Sequence, residues 1–578
     1  MGRLSLAAFV VFLALTVAAC GGGGAKKQEG LVGGAGSAGE ATNYEPTGKI
    51  VADNGFRPDP NGFGFENYPN FAGGVPQNMT AANMYDLFGD IVCVRGSGST
   101  CELTPTAAKW MDIENERMAG GHCMGFSVTA LRFYAGNLSP DRYGADSTFS
   151  LPIQDNSPLQ AEIAENWVFQ DLPTVQGRRV VGTPSQVLDA LVDGLGTGGE
   201  SNRSSAYPRV SELYTLGIFK ADGSGGHAIT PYAVEDKGGG RYAILVYDNN
   251  FPGITRAVDV DRNADTWRYV GGTNPSDTNE LYTGDSSTEN MLLFPTSPGL
   301  GPQPCPFCSG EAGPSGSSTG SALPSSKQYY EITLTGNPKN HAHLILTDQK
   351  GRLTGFRRGH FINQIPGAQI VTTLANKVWS QAPEPAYRVP TDTIVGVVID
   401  ARDLEKPDTE SITLIGPGLY GGVEDIKLFP GEQDVIAFGG GGKGFVYRTS
   451  AGHVSTPGLA IGLEENGVGY AMAVAAAGTK GGSQIALYTH PDGTLTWDTE
   501  GTKGAITGAK GFAIYVVEIE RLTQHGTAVW SSTKLVLRKG WKAALDYRHA
   551  AAGKPITVHT GPPGRLKYKQ KIPAGSHL

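Results

Sequence analysis

The sequence predicts a multidomain chain in which an α+β domain is followed by an all-β, β-sandwich-like region. Three features lead there. Apolar residues recur at helical spacing only in the first half, short β-branched and aromatic runs between turn signals fill the second, and a stretch dominated by Pro, Gly and Ser divides them. With 578 residues the length admits several domains, and 39% hydrophobic content with 22 Tyr, 21 Phe and 7 Trp supplies more than one core. Charged residues make up only 18%, while 82 Gly and 36 Pro are in excess, a balance that suits short strands and turns. A net charge of −8 offers no phosphate-neutralising surface, which argues against a nucleic-acid partner.

Residues 1–19 have a basic start at Arg3, a short apolar core and small residues at the end, the pattern of an export signal and not of a membrane span. The ending Val17-Ala18-Ala19-Cys20 resembles the lipobox of bacterial lipoproteins, a family in which the cysteine becomes the acylated first residue. That resemblance implies lipid on Cys20 and an exported protein anchored to the bacterial cell membrane. Residues 20–47, rich in Gly from Gly21 onward, read as a flexible tether. No later run approaches the ~20 apolar residues of a spanning helix.

Export sets the redox context of the other cysteines. Cys93 and Cys101 flank a short loop, and Cys305 and Cys308 bracket Pro306-Phe307, so each pair is expected as a disulfide. Zinc at Cys305 and Cys308 is disfavoured because no second Cys or His pair lies nearby. Cys123 is left as the unpaired thiol.

Residues 48–295 form the α+β domain. Helices are expected around 81–88, 106–111 and 184–191, and the run Arg241–Tyr247 reads as a buried strand. Residues 296–326 read as a Pro/Gly/Ser linker, and 327–578 as one or two β-sandwich-like units without helices. Asp492-Gly493 marks a hairpin; the hairpin-like stretches near 345 and 487 are loosely alike, but no strict repeat is visible. His341 and His343 would share one strand face, yet two imidazoles are too few ligands, so no metal and no cofactor is expected. Asp259, Asp261, Asn263 and Asp265 alternate like the start of a calcium loop but lack its Gly and Glu, and read instead as a strand end and turn.

The chemistry concentrates at Gly120-Gly121-His122-Cys123-Met124-Gly125-Phe126-Ser127. Apolar residues at 124, 128, 131 and 134 share a helical face, which puts Cys123 where a loop becomes a helix. The positive end of the helix dipole favours a thiolate there, and backbone N–H groups are placed to hold an oxyanion. His227 opens a strand-like run, and the return strand ends at Asp248-Asn249-Asn250. Such a hairpin brings its outer ends together, so His227 would meet Asp248 or, alternatively, Asn249. A nucleophile, a base and an orienting group in that order form a triad.

Cys-Met-Gly-Phe-Ser opening a helix, Gly-His-Ala-Ile at a strand start and Tyr-Asp-Asn-Asn after the return strand together resemble papain-like cysteine peptidases, and most nearly their divergent bacterial secreted members. The likeness covers about 80–270. It implies Cys123 as nucleophile, His227 as general base and acid, and Asp248 as the orienting group. The family's oxyanion Gln before the Cys is missing, and Asn115 is the only amide there; Phe126 replaces the usual Trp. The expected function is thiol-dependent acyl transfer on a peptide or protein substrate, as a cysteine peptidase. The alternatives are a transglutaminase or amidase with the same triad, or a non-catalytic adhesion or scaffold lipoprotein whose β units bind a surface ligand.

Overall fold

In the computed structural model the described residues are 43–69, 77–196, 212–221, 225–271, 281–309, 321–323, 327–337, 340–374, 384–439, 443–450, 452, 455–476, 482–498 and 512–575. The chain is mostly β, with helices confined to its N-terminal part among those residues and large sheets behind them. The expected leader, 1–19, and the expected lipidation position, Cys20, lie outside the described residues. No helix among the described residues is long and apolar enough to cross a membrane.

The N-terminal part is built on one antiparallel sheet. Its central strands are Tyr214–Phe219, Gly226–Gly238, Arg241–Tyr247 and Thr255–Asp261, with Met291–Pro295 at one edge and Thr266–Val270 and Leu281–Asp285 at the other. Arg241–Tyr247 reads as a continuous apolar run because both of its faces are covered. Ile244 and Val246 pack with Val187, Leu188 and Leu191 of the Pro184–Leu195 helix, whereas Ala243, Leu245 and Tyr247 pack with Phe126 and Ala130 of the Cys123–Tyr134 helix. The Pro184–Leu195 helix starts on a Thr183 cap whose hydroxyl accepts from Gln186 N, with Pro184 at its first position.

The last residues of the expected tether, 43–47, are part of the fold. Tyr44 N–H donates to Thr255 O at 2.9 Å, the Tyr44 hydroxyl to Glu235 Oε2 at 2.6 Å, and Thr47 N–H to Glu235 Oε1 at 2.7 Å. Residues 43–47 therefore belong to the folded domain, anchored by one carboxylate that takes several donors.

Two sheets make up the second half. Ten strands, from Gln369–Val371 to Ala574–Gly575, form one; eleven, from His360–Asn363 to Tyr568–Ile572, form the other. One hydrophobic core, running from Tyr330 to Ile572, draws residues from both, so this is a single sandwich-like unit and not two. From Asp408 onward the chain alternates strictly. The hairpins beginning at Asp408, Gly458 and Phe512 join the ten-stranded sheet, and those beginning at Gln433, Gln484 and Lys542 the eleven-stranded one. A structural repeat is thus present where the sequence shows none. The stretches near 345 and 487 are alike because both are hairpins of the same sheet, His343–Asp348 with Leu353–Arg357 and Gln484–Thr489 with Thr494–Asp498.

The expected linker is partly structure. Cys305 and Cys308 are disulfide-bonded with Cα atoms 5.5 Å apart, and Phe307 between them is buried. Its ring stacks on Trp110 at 5.0 Å and meets Phe88 edge-on at 5.4 Å, while its carbonyl accepts from Gly418 N at 2.9 Å. A four-residue ring is too short to swing free, and it presents an aromatic plug that ties the helices to the sandwich. Cys93 and Cys101 are bonded likewise, with Cα atoms 5.4 Å apart.

The two halves meet across a buried ion cluster. Arg117, at the end of the Pro105–Arg117 helix, reaches Glu114 at 2.9 Å, Asp171 at 3.4 Å and Thr373 of the second half at 2.7 Å. Arg388 of the sandwich reaches Glu331 at 2.6 Å and Asp171 at 3.3 Å. Two guanidiniums face three carboxyls, and burial together with Asp171 and Glu331 pushes the Glu114 carboxyl up to about 8 despite Arg117, so one proton balances the cluster near neutral pH. Asp171→Ala leaves two arginines buried without their shared partner and is expected to cost about 3–5 kcal/mol of stability in urea titration. Because the Glu114 pKa is raised on folding, its contribution is full below about 4.5 and is lost as pH rises through about 8. Glu114→Gln is therefore expected to flatten the loss of stability between those values.

Candidate active site

Cys123 opens the Cys123–Tyr134 helix directly after the turn Met118–Gly120 and Gly121, whose φ of +152° no side-chain-bearing residue adopts readily. Two features fix that helix. A Cβ on Gly125 would lie 2.0 Å from the Ile163 carbonyl oxygen, so only glycine lets the Ser157–Trp167 helix approach so closely. On its other side the Ser127 hydroxyl bonds Thr230 at 2.7 Å and Thr215 at 2.9 Å, joining the helix to the two strands beside it. One of these, Gly226–Gly238, carries His227 as its second residue.

The hairpin returns along Arg241–Tyr247 and delivers Asp248 to His227, whose Nε2 donates to Asp248 Oδ1 at 2.8 Å. The other carboxylate oxygen accepts from the Tyr269 hydroxyl, and Oδ1 also accepts from Asn250 N at 2.9 Å. The remaining ring nitrogen, Nδ1, has no nitrogen or oxygen partner. Cys123 opens the neighbouring helix, and its sulfur adds to the influences that keep this imidazole charged. Cys123, His227 and Asp248 are all fully buried.

Burial alone would lower the His227 pKa, but the Asp248 charge and hydrogen bond, with Cys123 adding to them, push it up to about 10. Burial would raise the Asp248 pKa, yet the His227 charge and the bonds from His227, Tyr269 and Asn250 bring it below the ordinary value. Tyr269, buried and next to that carboxylate, is held well above 10 and stays a donor. The pair is an ion pair across the neutral range, with Tyr269 as its third member.

Asn249, the alternative orienting group, does not approach the imidazole through a hydrogen bond of its own. Its amide donates to Ala228 O at 2.8 Å and Cys123 O at 3.3 Å, tying the Cys123 backbone to the hairpin. Asn115 is not placed as an oxyanion donor: its amide is spent on Met79, accepting from the N–H at 3.0 Å and donating to the carbonyl at 3.1 Å. It lies near the end of a helix whose register points it at that loop. The N–H groups that open the Cys123–Tyr134 helix have no acceptor within it, and they are the oxyanion donors this geometry offers.

Sequence reasoning missed Asn67, His122 and Tyr269. Asn67 Oδ1 accepts from His122 N at 2.8 Å, and its own N–H donates to Asn249 O at 2.8 Å, so it bridges the thiol helix and the hairpin. His122 is buried against Tyr68, bonding its carbonyl at 2.8 Å and Asn78 at 3.1 Å. Burial holds His122 down to about 4, although the Tyr68 bond opposes this. Nothing in the local sequence marks Asn67, more than fifty residues away. Proximity of His122 to the thiol was the available signal for that residue. The aspartate run at 259–265 is a turn, with Asp261 Oδ1 accepting from Asn263 N and Ala264 N at 3.0 Å.

Comparison with protein-family models, with curated proteins and with solved structures finds no match to this chain.

The two histidines carry opposite pH signatures. His227, raised to about 10, stabilises the fold fully below about 6.5, and this is lost as pH rises toward 10. His122, lowered to about 4, stabilises fully above about 6.5, and this is lost as pH falls toward 4. Histidine-selective NMR is expected to show one imidazole charged beyond pH 9 that becomes neutral at lower pH in Asp248→Asn. Urea titrations of His122→Gln are expected to lose stability less steeply than wild type between pH 6.5 and 4.

Proposed function

We propose that this chain is an exported, lipid-anchored bacterial protein whose N-terminal domain carries a papain-like thiol acyl-transfer site, acting as a cysteine peptidase on peptide or protein amides. The observation that carries this reading is the His227 imidazole, bonded to Asp248 through one nitrogen and kept charged with the help of Cys123, whose thiol stands at a helix N-terminus. In the proposed cycle the sulfur attacks the amide carbonyl carbon, with its proton carried on His227. The oxygen takes the negative charge and meets the helix N–H groups. The imidazolium then gives its proton to the leaving amine, the C–N bond breaks, and a thioester remains. Water, deprotonated by His227, resolves it to acid and free thiol. Asp248 and Tyr269 hold the ring in the tautomer this requires. An amine in place of water would make the same site a transglutaminase.

Complete burial of Cys123 and His227 favours a second reading, a non-catalytic scaffold lipoprotein whose β region binds a surface ligand. Substrate reaches these groups only when the surrounding chain opens, so the two readings differ in what opening exposes. A substrate-like electrophile is expected to label Cys123 in the folded protein, at least ~100-fold faster than in His227→Ala. Labelling that occurs only at the rate of global unfolding, and equally in His227→Ala, would establish the scaffold reading. Asp248→Asn is expected to keep labelling by small electrophiles while lowering turnover. The anchor is tested separately: mass spectrometry of the membrane fraction is expected to find Cys20 as an acylated N-terminus, and an unmodified Cys20 would remove that part.

A further inference from the structure

Away from the thiol, a second group of chemically able side chains lies at the edge of the sandwich. His343 begins the His343–Asp348 strand of the eleven-stranded sheet, and Glu384 stands just before the Ala386–Pro390 strand of the ten-stranded sheet. Glu384 Oε1 is committed, accepting from Leu344 N at 2.8 Å and from the Tyr387 hydroxyl at 2.6 Å. That fixes Oε2 toward both imidazoles, 2.8 Å from His343 Nδ1 and 3.8 Å from His341 Nδ1. The donor atoms of the three residues all lie within 4.8 Å of one another. The sequence expectation of no metal rested on having only two imidazoles; the third ligand comes from forty residues away.

We propose that His341, His343 and Glu384 form a binding site for a divalent transition-metal cation of the Zn2+ type. Bonds of about 2.0–2.1 Å to a tetrahedral ion put its ligands about 3.3 Å apart, a value bracketed by the 2.8 Å from His343 Nδ1 to Glu384 Oε2 and the 4.8 Å that bounds all three donor atoms; His341 Nδ1 bonds Ala342 O at 2.8 Å, so that ring ligates by turning from the carbonyl or through its other nitrogen. Two imidazoles and one carboxylate select Zn2+ or a neighbouring transition metal over Ca2+ and Mg2+, which take oxygen ligands. Orientation of the carboxylate by Leu344 and Tyr387 is the supporting shell such sites carry. Beside the site, the N–H of Ala342, between the two histidines, donates to the buried Glu410 at 2.6 Å, and Glu410 Oε2 has no hydrogen-bond partner. The Phe356 ring, 4.0 Å from His343, walls one side. The imidazoles keep 14% and 19% of their surface while Glu384 keeps 1%, which leaves the fourth position to water or to a ligand. Because the ligands come from both sheets, the bound ion would staple one sheet to the other.

The test uses the mature chain, stripped with chelator and titrated with ZnCl2 alone. One equivalent of Zn2+ is expected to be retained through dialysis and to raise Tm by several degrees. Co2+ in its place is expected to give the visible bands of a low-symmetry site with nitrogen and oxygen ligands. His341→Ala and His343→Ala are each expected to weaken Zn2+ binding at least ~10-fold while leaving the metal-free Tm within a few degrees. Glu384→Gln, which keeps an oxygen for Leu344 and Tyr387, is expected to do the same. Cys123→Ser, which removes the other metal-prone side chain, is expected to leave the stoichiometry at one. Failure of the stripped wild type to bind, or binding unchanged in the two histidine variants, would overturn the assignment and leave a simple His–Glu hydrogen bond.

Discussion

The buried arginine–carboxylate cluster between the helices and the sandwich is the constraint on which the site depends. Arg117 is the last residue of its helix, and only the turn Met118–Gly120, Gly121 and His122 separate it from Cys123. Its guanidinium is gripped from the sandwich side by Thr373, and from the helical side by Glu114 and Asp171. Removing Asp171 or either guanidinium from such a cluster leaves an uncompensated charge in a water-free place, which makes its geometry stiff. The position of the thiol is thereby referred to the β half. The Phe307 plug and the Lys109–Glu424 pair, at 2.6 Å, tie the same helix down along its length. The two halves therefore act as one support for the thiol, although the sequence reads them as separate units joined by a linker.

Local physics made much of the first half legible. Pro184 and the 3.6-residue spacing at 81–88, at 184–191 and after Cys123 are short-range signals, and each marks a helix, whereas the helix expected around 106–111 runs on to Arg117. The apolar run Arg241–Tyr247 is a strand with those same bounds. Hairpin logic likewise explains why a histidine and an aspartate twenty-one residues apart meet. What stayed hidden depends on long-range packing. Asn67 and Tyr269 reach the site from different loops and strands, and the Glu384 carboxylate reaches the two histidines across a sheet boundary. The repeat of hairpins in the sandwich is invisible because what repeats is the alternation between sheets, and a strand needs only period-two patterning to take either place.

Two histidines within the same buried region end in different charge states, one neutral and one positive, and the cause is the nature of their partners. His122 meets a carbonyl and an amide, neither of which compensates a positive ring, so desolvation decides and the ring stays neutral. His227 meets a carboxylate that is itself braced by Tyr269 and Asn250, so the partner's charge outweighs the same desolvation. Neighbouring imidazoles are thus sorted into a structural member and a proton-carrying member by one carboxylate.

Closure of the site follows from this sorting. A charged pair of imidazolium and carboxylate is costly to bury unless every remaining donor and acceptor is met, and here Asn67, Asn249 and Asn250 form a polar collar that does so at the backbone of the thiol helix and the hairpin. The same collar holds the surrounding chain in place. His227 Nδ1 and Asn249 Oδ1 are the atoms of this group left without a hydrogen-bond partner. An unmet ring nitrogen costs stability, and a fold retains such a cost most readily where the atom has a further use. The thiol is the group beside it. Burial of the ion pair and isolation of that one nitrogen arise together, since the carboxylate and the amide N–H groups brace one side of the ring and supply nothing to the other.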